Sequence, residues 1–297
     1  MKVGILGGGR WGQALARLVL AAGNEALIAY KDKRPPNMLK STKDVASVPQ
    51  QCDLLLVATS ASEVHNAIQL AQPHPGNRIV VAGRGLEPST GRWLTDVVLE
   101  SCDAVRVGAL AGPAPVAEIL NGGLCAGVVA SPYRDVQRLT TDALHSSRYR
   151  LYASDDLAGV QLAGAIVPVL ATMTGMASGL QGSGVGMHAM VLTRGIAEAS
   201  RLAAAMGGDP ATLAGLAGVG DLVAAQSVAS HPNFKAGVAL AKGKRDAGPL
   251  PIAKALHGRA CALGIEMPLT EALVRIYEGE HPLEAVQGLM ARRAAHE

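Results

Sequence analysis

The chain has 297 residues, enough for one large domain or two ordinary ones, and 49% of them are apolar, enough for a sizeable core. A formal charge of only +3 without a long basic run, and 3% aromatics, argue against nucleic acid as a partner. Cys52, Cys102, Cys125 and Cys261 are far apart and form no C-x-x-C pair, so buried reduced thiols are expected and a metal site is not.

In chain order, Lys2-Val3-Gly4-Ile5-Leu6 is a strand-forming run that feeds into Gly7-Gly8-Gly9-Arg10-Trp11-Gly12, which fits G-x-G-x-x-G. Gln13 to Leu20 then carries apolar residues at helical spacing. Strand, glycine turn and helix in this order predict a Rossmann-type dinucleotide site. Gly7 allows the tight turn, Gly9 admits the pyrophosphate, and Gly12 lets helix pack on strand. The helix start adds unpaired N–H groups and a positive dipole end. Since this first apolar run is a strand, no signal peptide is expected and the cytoplasm is the expected compartment.

Ala26 to Tyr30 is the second strand, followed by Lys31-Asp32-Lys33-Arg34. An acid after this strand would hold the ribose 2′-OH of NAD; the basic cluster suits the 2′-phosphate of NADP, so NADP is favoured over NAD. Pro35-Pro36 closes the turn, with a short link expected to the next strand. That strand, Asp53 to Ala58, is continuously apolar, as in a sheet covered on both faces. Thr59 to Ser62 follows at its C-terminal end, where open α/β sheets hold their ligands. Ser62 to Leu70 reads as a helix. Further strands are expected at Arg78–Ala82, Ala104–Gly108, Cys125–Val129 and Arg150–Tyr152. This alternation predicts a doubly wound α/β domain over residues 1–153.

Residues 154–297 read as an all-helical domain. Asp155 or Asp156 can cap a long helix reaching about Ala177, with a kink expected at Pro168. Its stretch from Leu157 to Ala177 is long enough to span a membrane but holds Gln161, Pro168 and several glycines, so a buried core helix is expected instead. A glycine-rich break precedes a helix from Met187 to Met206, and Asp209-Pro210 starts another. Apolar Ala/Gly helices allow association as a homodimer.

Several stretches together resemble the NAD(P)-dependent glycerol-3-phosphate dehydrogenases. They are Gly9-Arg10-Trp11-Gly12-Gln13-Ala14-Leu15-Ala16, Gly83-Arg84-Gly85-Leu86-Glu87 (Lys-Gly-Ile/Leu-Glu in the family), and Ala111-Gly112-Pro113-Ala114 (Ser-Gly-Pro-Ser). Thr193 to Glu198, Gly215 to Leu222, Gly264 to Pro268 and Tyr277 to Gly279 follow in family order. The resemblance implies a 6-phosphogluconate-dehydrogenase-like helical domain behind the Rossmann-type sheet. It also implies interconversion of dihydroxyacetone phosphate and glycerol 3-phosphate with NAD(P)H, hence a small phosphorylated or acidic carbonyl substrate, no nucleic acid and no membrane. The residues expected to face the cofactor are Gly7, Gly9, Arg10, Trp11, Gly12, Lys31, Ser60 and Val116. Those expected at the substrate are Arg84, Gly112, Asp221 and Asn233, with Arg84 and Asp221 also in the catalytic set.

The resemblance also implies a proton-donating lysine on the first long helix, in Gly-Ala-Leu-Lys-Asn. Here Gly164-Ala165-Ile166-Val167-Pro168 puts Val167 in its place. The family's Ser-Arg-Asn falls on His231-Pro232-Asn233, which keeps only the asparagine. Ala114, Gln161, Ala225 and Gly248 replace family polar residues. The cofactor half of the site is therefore expected intact and the substrate half stripped. Three readings follow. One is a dehydrogenase with a relocated acid, for which His188 and Lys235 are candidates. Another is a weak or inactive NADP(H)-binding sensor. The third is a dehydrogenase for a larger, less phosphorylated substrate, since Val167, Ala114 and Ala225 make the pocket smaller-lined and more apolar.

Overall fold

The computed structural model describes residues 1–31, 34–36, 38–227, 231–245 and 248–292. Asp32 and Lys33, part of the basic cluster, lie outside the described residues. Eight strands form one sheet: β1 (Lys2–Leu6), β2 (Glu25–Ala29), β3 (Ser41–Thr42), β4 (Leu54–Val57), β5 (Arg78–Val81), β6 (Arg106–Ala111), β7 (Cys125–Ala130) and β8 (Tyr149–Ser154). The spatial order is β3-β2-β1-β4-β5-β6-β7-β8, and every pairing is parallel except β6 with β7. The chain leaves β1 toward β2 on one side and returns to β4 on the other. The crevice above β1 and β4 is thus the topological switch point, where such sheets bind ligands.

The central strands are apolar on both sides because helices cover both faces. β4 is buried at all four positions. One face packs against α1 (Arg10–Ala21), through Leu15, Val19 and Ile5 among others. The other packs against α2 (Val64–Ala71) and α3 (Leu94–Ser101), through Ile68, Val98 and Leu55. Short α4 (Val116–Leu120) and amphipathic α5 (Arg134–Leu144) complete the first face. The edge strand β3 adds to the expected strands. It is two half-buried residues long, too short to produce an alternating pattern, and it makes the link from β2 to β4 longer than expected.

From Leu157 onward every element among the described residues is helical. α6 (Leu157–Gly179) is the axis of this half. Of the two candidate caps, Asp156 performs the role: its Oδ1 accepts from Gly159 N at 2.8 Å. Asp155 instead accepts from Gln137 Nε2 at 2.7 Å. Pro168 lies inside the helix without ending it, and its carbonyl accepts from the Thr172 hydroxyl at 2.9 Å. Among the described residues α6 alone is long and apolar enough to span a membrane, and its best 18-residue window is 89% buried within the protein. It is a core helix. Around it pack α7 (Val185–Ala205), α8 (Pro210–Ala214), α9 (Asp221–Ser227), α10 (Pro232–Ala241), α11 (Leu250–Ala262), α12 (Pro268–Glu278) and α13 (Pro282–Met290). Missing side chains permit the closest approach, between α10 and α6. A Cβ on Gly237 would stand 2.0 Å from Thr172 O, and one on Gly175 2.1 Å from Phe234 O.

Candidate active site

The phosphate end of the site follows from three glycines. Gly7 has φ +126°, and a Cβ there would meet the Ala58 carbonyl at 2.7 Å. Gly12 brings α1 so close to the turn that a Cβ would lie 1.9 Å from Gly7 O. At Gly9 a Cβ would meet nothing within 4 Å. Here the backbone faces open space, at a helix start with no side-chain cap for its N–H groups. That combination is an anion cradle. Next to it, at the end of β4, Thr59 Oγ1 is buried without a partner among the described residues. An open glycine, free helix-start amides and an orphaned hydroxyl at the switch point fit the pyrophosphate arm of a dinucleotide.

The other expected cofactor-side residues lie on α1 and at the ends of β2, β4 and β6. Trp11 spans the crevice, its Nε1 donating to Ala82 O at 2.7 Å beyond the end of β5. Arg10 is exposed at the first turn of α1, and Lys31 is exposed just past β2. Ser60 is exposed beyond β4 and its hydroxyl pairs with Ser62 at 3.2 Å. Val116 opens α4 half-buried against the first-face core and so serves packing as well.

The polar centre is built on Arg84, in the loop after β5. Its Nη2 donates to Asp221 Oδ1 at 3.0 Å and to Gly112 O at 3.3 Å, and Nη1 pairs with Asp221 Oδ2. Asp221 is 3% exposed and opens α9 directly after a π-helical turn, Leu216–Gly220. The residue could have been a simple helix cap, but its carboxylate reaches Arg84 instead. Burial pushes the Asp221 carboxyl above the ordinary carboxylate range, and the guanidinium opposes that push. Gly112 can present its carbonyl because it has φ +120°, and because its α-carbon faces Gly127, where a side chain would leave only 2.9 Å. These three expected substrate-side residues thus come together from three separate elements.

Two groups with buried polar atoms escaped the expected site residues. β7 runs antiparallel to β6, so the start of β7, and with it the start of β8, lies at the ligand edge. Tyr149 sits there with its hydroxyl against Gly127, buried and without a partner among the described residues, within reach of the Arg84 charge. Burial raises the phenol pKa. His231 caps α10, and its Nδ1 is buried and also lacks a partner among the described residues. Burial first, and the Arg84 charge second, hold its imidazole below 6.5. Its only sequence signal was that it stands in the first position of the family's Ser-Arg-Asn.

Other candidates are placed elsewhere. The structure sets His188 apart from the pair: Nε2 bonds Ser178 Oγ at 2.9 Å, three turns beyond Val167 on α6, about 16 Å along the axis. The glycine-rich break starts α7 too far along α6 for His188 to turn back. Lys235 is exposed on α10, and Asn233 is half-buried in its first turn. Val167 is fully buried in the helical core. Gln161 ties α6 to α3, its Oε1 accepting from Thr95 Oγ1 at 3.0 Å and Thr95 N at 3.3 Å. At Gly248 a Cβ would collide with the Tyr277 hydroxyl at 1.8 Å. No cluster of potential metal ligands occurs among the described residues.

Comparison with known proteins decides the lineage. The profile of the NAD-dependent glycerol-3-phosphate dehydrogenase N-terminus matches residues 29–137, and that of its C-terminus matches residues 156–287. Glycerol-3-phosphate dehydrogenase [NAD(P)+] of Halorhodospira halophila is 35% identical, covering 98% of this chain and 96% of that protein. The chain belongs to the NAD-dependent glycerol-3-phosphate dehydrogenase family. The Symbiobacterium thermophilum relative is 34% identical over 100% of this chain and 96% of its own length. The crystal structure of glycerol-3-phosphate dehydrogenase from Coxiella burnetii superposes with a TM-score of 0.90 at 28% identity, covering 98% of this chain and 99% of that one. The family's members are oxidoreductases acting on CH–OH groups, and these findings lend no support to a sensor. They also bear out the doubly wound sheet with its helical second half.

Proposed function

We propose that this protein is an NAD(P)-dependent dehydrogenase interconverting dihydroxyacetone phosphate and glycerol 3-phosphate. The observation that carries the reading is the Arg84–Asp221–Gly112 cluster at the same sheet edge as the open glycine cradle. Residues 1–153 are the cofactor domain and 154–297 the substrate domain, a division supported by the change from strand to helix between Ser154 and Leu157. NADP is the preferred cofactor, supported by the exposed Lys31 and Arg34 beyond β2. The four free cysteines suit a reducing cytoplasm.

When bound, the nicotinamide supplies or takes the hydride. The chain supplies the rest. The glycine loop and the amides of α1 hold the pyrophosphate, and Thr59 offers a hydroxyl beside it. Asp221 fixes the Arg84 guanidinium in one orientation, leaving its remaining N–H groups as donors for a phosphate or a polarised carbonyl oxygen. The test is NADPH oxidation with dihydroxyacetone phosphate, run beside NADPH binding. Turnover that falls at least tenfold in Arg84→Met is expected. Tight NADPH binding without any turnover would overturn the reading.

A further inference from the structure

Where α1 meets the turn that closes α4, a cavity of about 350 Å³ opens to solvent. Its floor is apolar and buried: Leu18 from α1, Leu39 from the segment after β2, and Ile119 from α4. Leu20 and Met38 also line it and are exposed, Met38 to 77%. Arg17, at the same place, is eight residues past Gly9, about 12 Å along the helix axis. The cavity therefore lies apart from the pyrophosphate cradle.

Two arginines give the cavity its charge. Arg17 Nη1 donates to Leu120 O at 3.0 Å, and Arg148 Nη1 donates to Gly122 O at 2.6 Å. Both side chains are thus pinned to one turn and converge on the cavity that they line. Arg17 Nη2 also lies 4.0 Å from Met38 Sδ. Neither guanidinium forms an ion pair among the described residues, and none of the lining residues is acidic. The acids of α4 and β2 are engaged elsewhere. Glu118 Oε2 accepts from Cys125 Sγ at 3.9 Å, and Glu25 pairs with Lys40 at 3.2 Å. A guanidinium carries several N–H donors, so both arginines keep donors for a ligand.

We infer that this cavity binds a small amphipathic anion, a carboxylate or phosphate head on a short apolar chain. The chain lies on the Leu18, Leu39 and Ile119 floor and removes that apolar surface from water. The head accepts charge-assisted hydrogen bonds from both guanidinium groups. A cationic head would be repelled, and a neutral one would leave the two charges unmatched. The volume stands near the lower end of the roughly 300–1,000 Å³ of small-molecule sites, which suits a chain of about eight carbons. The site takes no part in hydride transfer, so the inference goes beyond the dehydrogenase reading and does not depend on it.

The test is calorimetric titration of the full chain with sodium octanoate, octyl phosphate and octan-1-ol, each with and without NADPH. At least one of the two anions should bind with a Kd on the order of 0.1–1 mM, and the tighter of them identifies the head group. Octanol should bind about tenfold more weakly, and NADPH should change none of these affinities. Arg17→Met and Arg148→Met should each weaken the anion by about three- to tenfold and leave octanol unmoved. Leu20→Asp, at an exposed position, should abolish anion binding without unfolding the chain. No binding of either anion at about 10 mM, octanol binding as tightly as the anions, or an affinity unchanged in both arginine variants overturns the proposal. Displacement by NADPH also overturns it, since the anions would then occupy the dinucleotide crevice. So does a dimer in sedimentation that Leu20→Asp dissociates, which would mean that a second copy covers the cavity.

Discussion

Gly9 and Gly12 lie in one loop, yet the structure gives their substitution opposite consequences. Gly9 has φ −67° and ψ 176°, extended backbone open to any residue, and its missing Cβ faces empty space. Gly9→Val should therefore fold with a stability change within about 1 kcal/mol, the scale of altering a helix cap. Its side chain would fill the space the pyrophosphate needs. At Gly12 even one methyl would stand 1.9 Å from Gly7 O, a backbone atom that cannot turn aside. Overpacking of this kind costs about 1–3 kcal/mol. The assay is thermal unfolding with and without NADPH at about a hundred times its Kd, where ligand linkage contributes roughly 2.7 kcal/mol and raises Tm by about 4 °C for a chain of this length. Gly9→Val should keep the ligand-free Tm and lose this rise, whereas Gly12→Ala should lower Tm without ligand. A Gly9→Val protein that retains the wild-type NADPH shift would refute the assignment of this loop to the pyrophosphate.

Lys31→Glu should weaken NADPH more than NADH, measured by titration of each; equal effects would remove the basis for NADP preference. Glu198 is buried and accepts from Leu269 N at 2.9 Å at the start of α12, and burial pushes its carboxyl from 4.5 up to about 7. The folded state thus binds more protons than the unfolded one, so this contribution is full below 4.5 and lost as pH rises through 7. Glu198→Gln should flatten that loss, of order 3 kcal/mol, in denaturant unfolding between pH 4.5 and 8; an unchanged slope would show that α12 keeps the carboxylate charged. Asp156 caps α6 and also accepts from Asp209 N at 3.0 Å and Thr212 Oγ1 at 2.5 Å. Asp156→Ala should cost about 2 kcal/mol by calorimetry, and a loss below 0.5 would mean that water replaces these bonds.

What could be read from the sequence is what short segments decide. The glycine loop, the continuous apolar strands and the Asp209-Pro210 helix start are set by steric freedom, burial and capping within a few neighbours. Each is found where the residues placed it, with strand ends shifted by up to three residues. The ordered family motifs extended this to residues far apart, naming Arg84, Gly112 and Asp221. They could not say that Arg84 and Asp221 form a pair across 137 positions of chain. Nor could they show that β7 reverses direction and carries Tyr149 to the ligand edge. His188 was a reasonable choice by sequence, since it follows a glycine break, but the length of α6 takes it away. Nor could the family motifs show that α10 packs on α6 through Gly175 and Gly237, with His231 as its N-terminal cap. Local conformational preference acts over a turn or a strand and is written residue by residue. The meeting of Arg84 from the loop after β5, the Gly112 carbonyl from the end of β6 and Asp221 from α9 depends on how whole elements pack, and only the folded chain decides it.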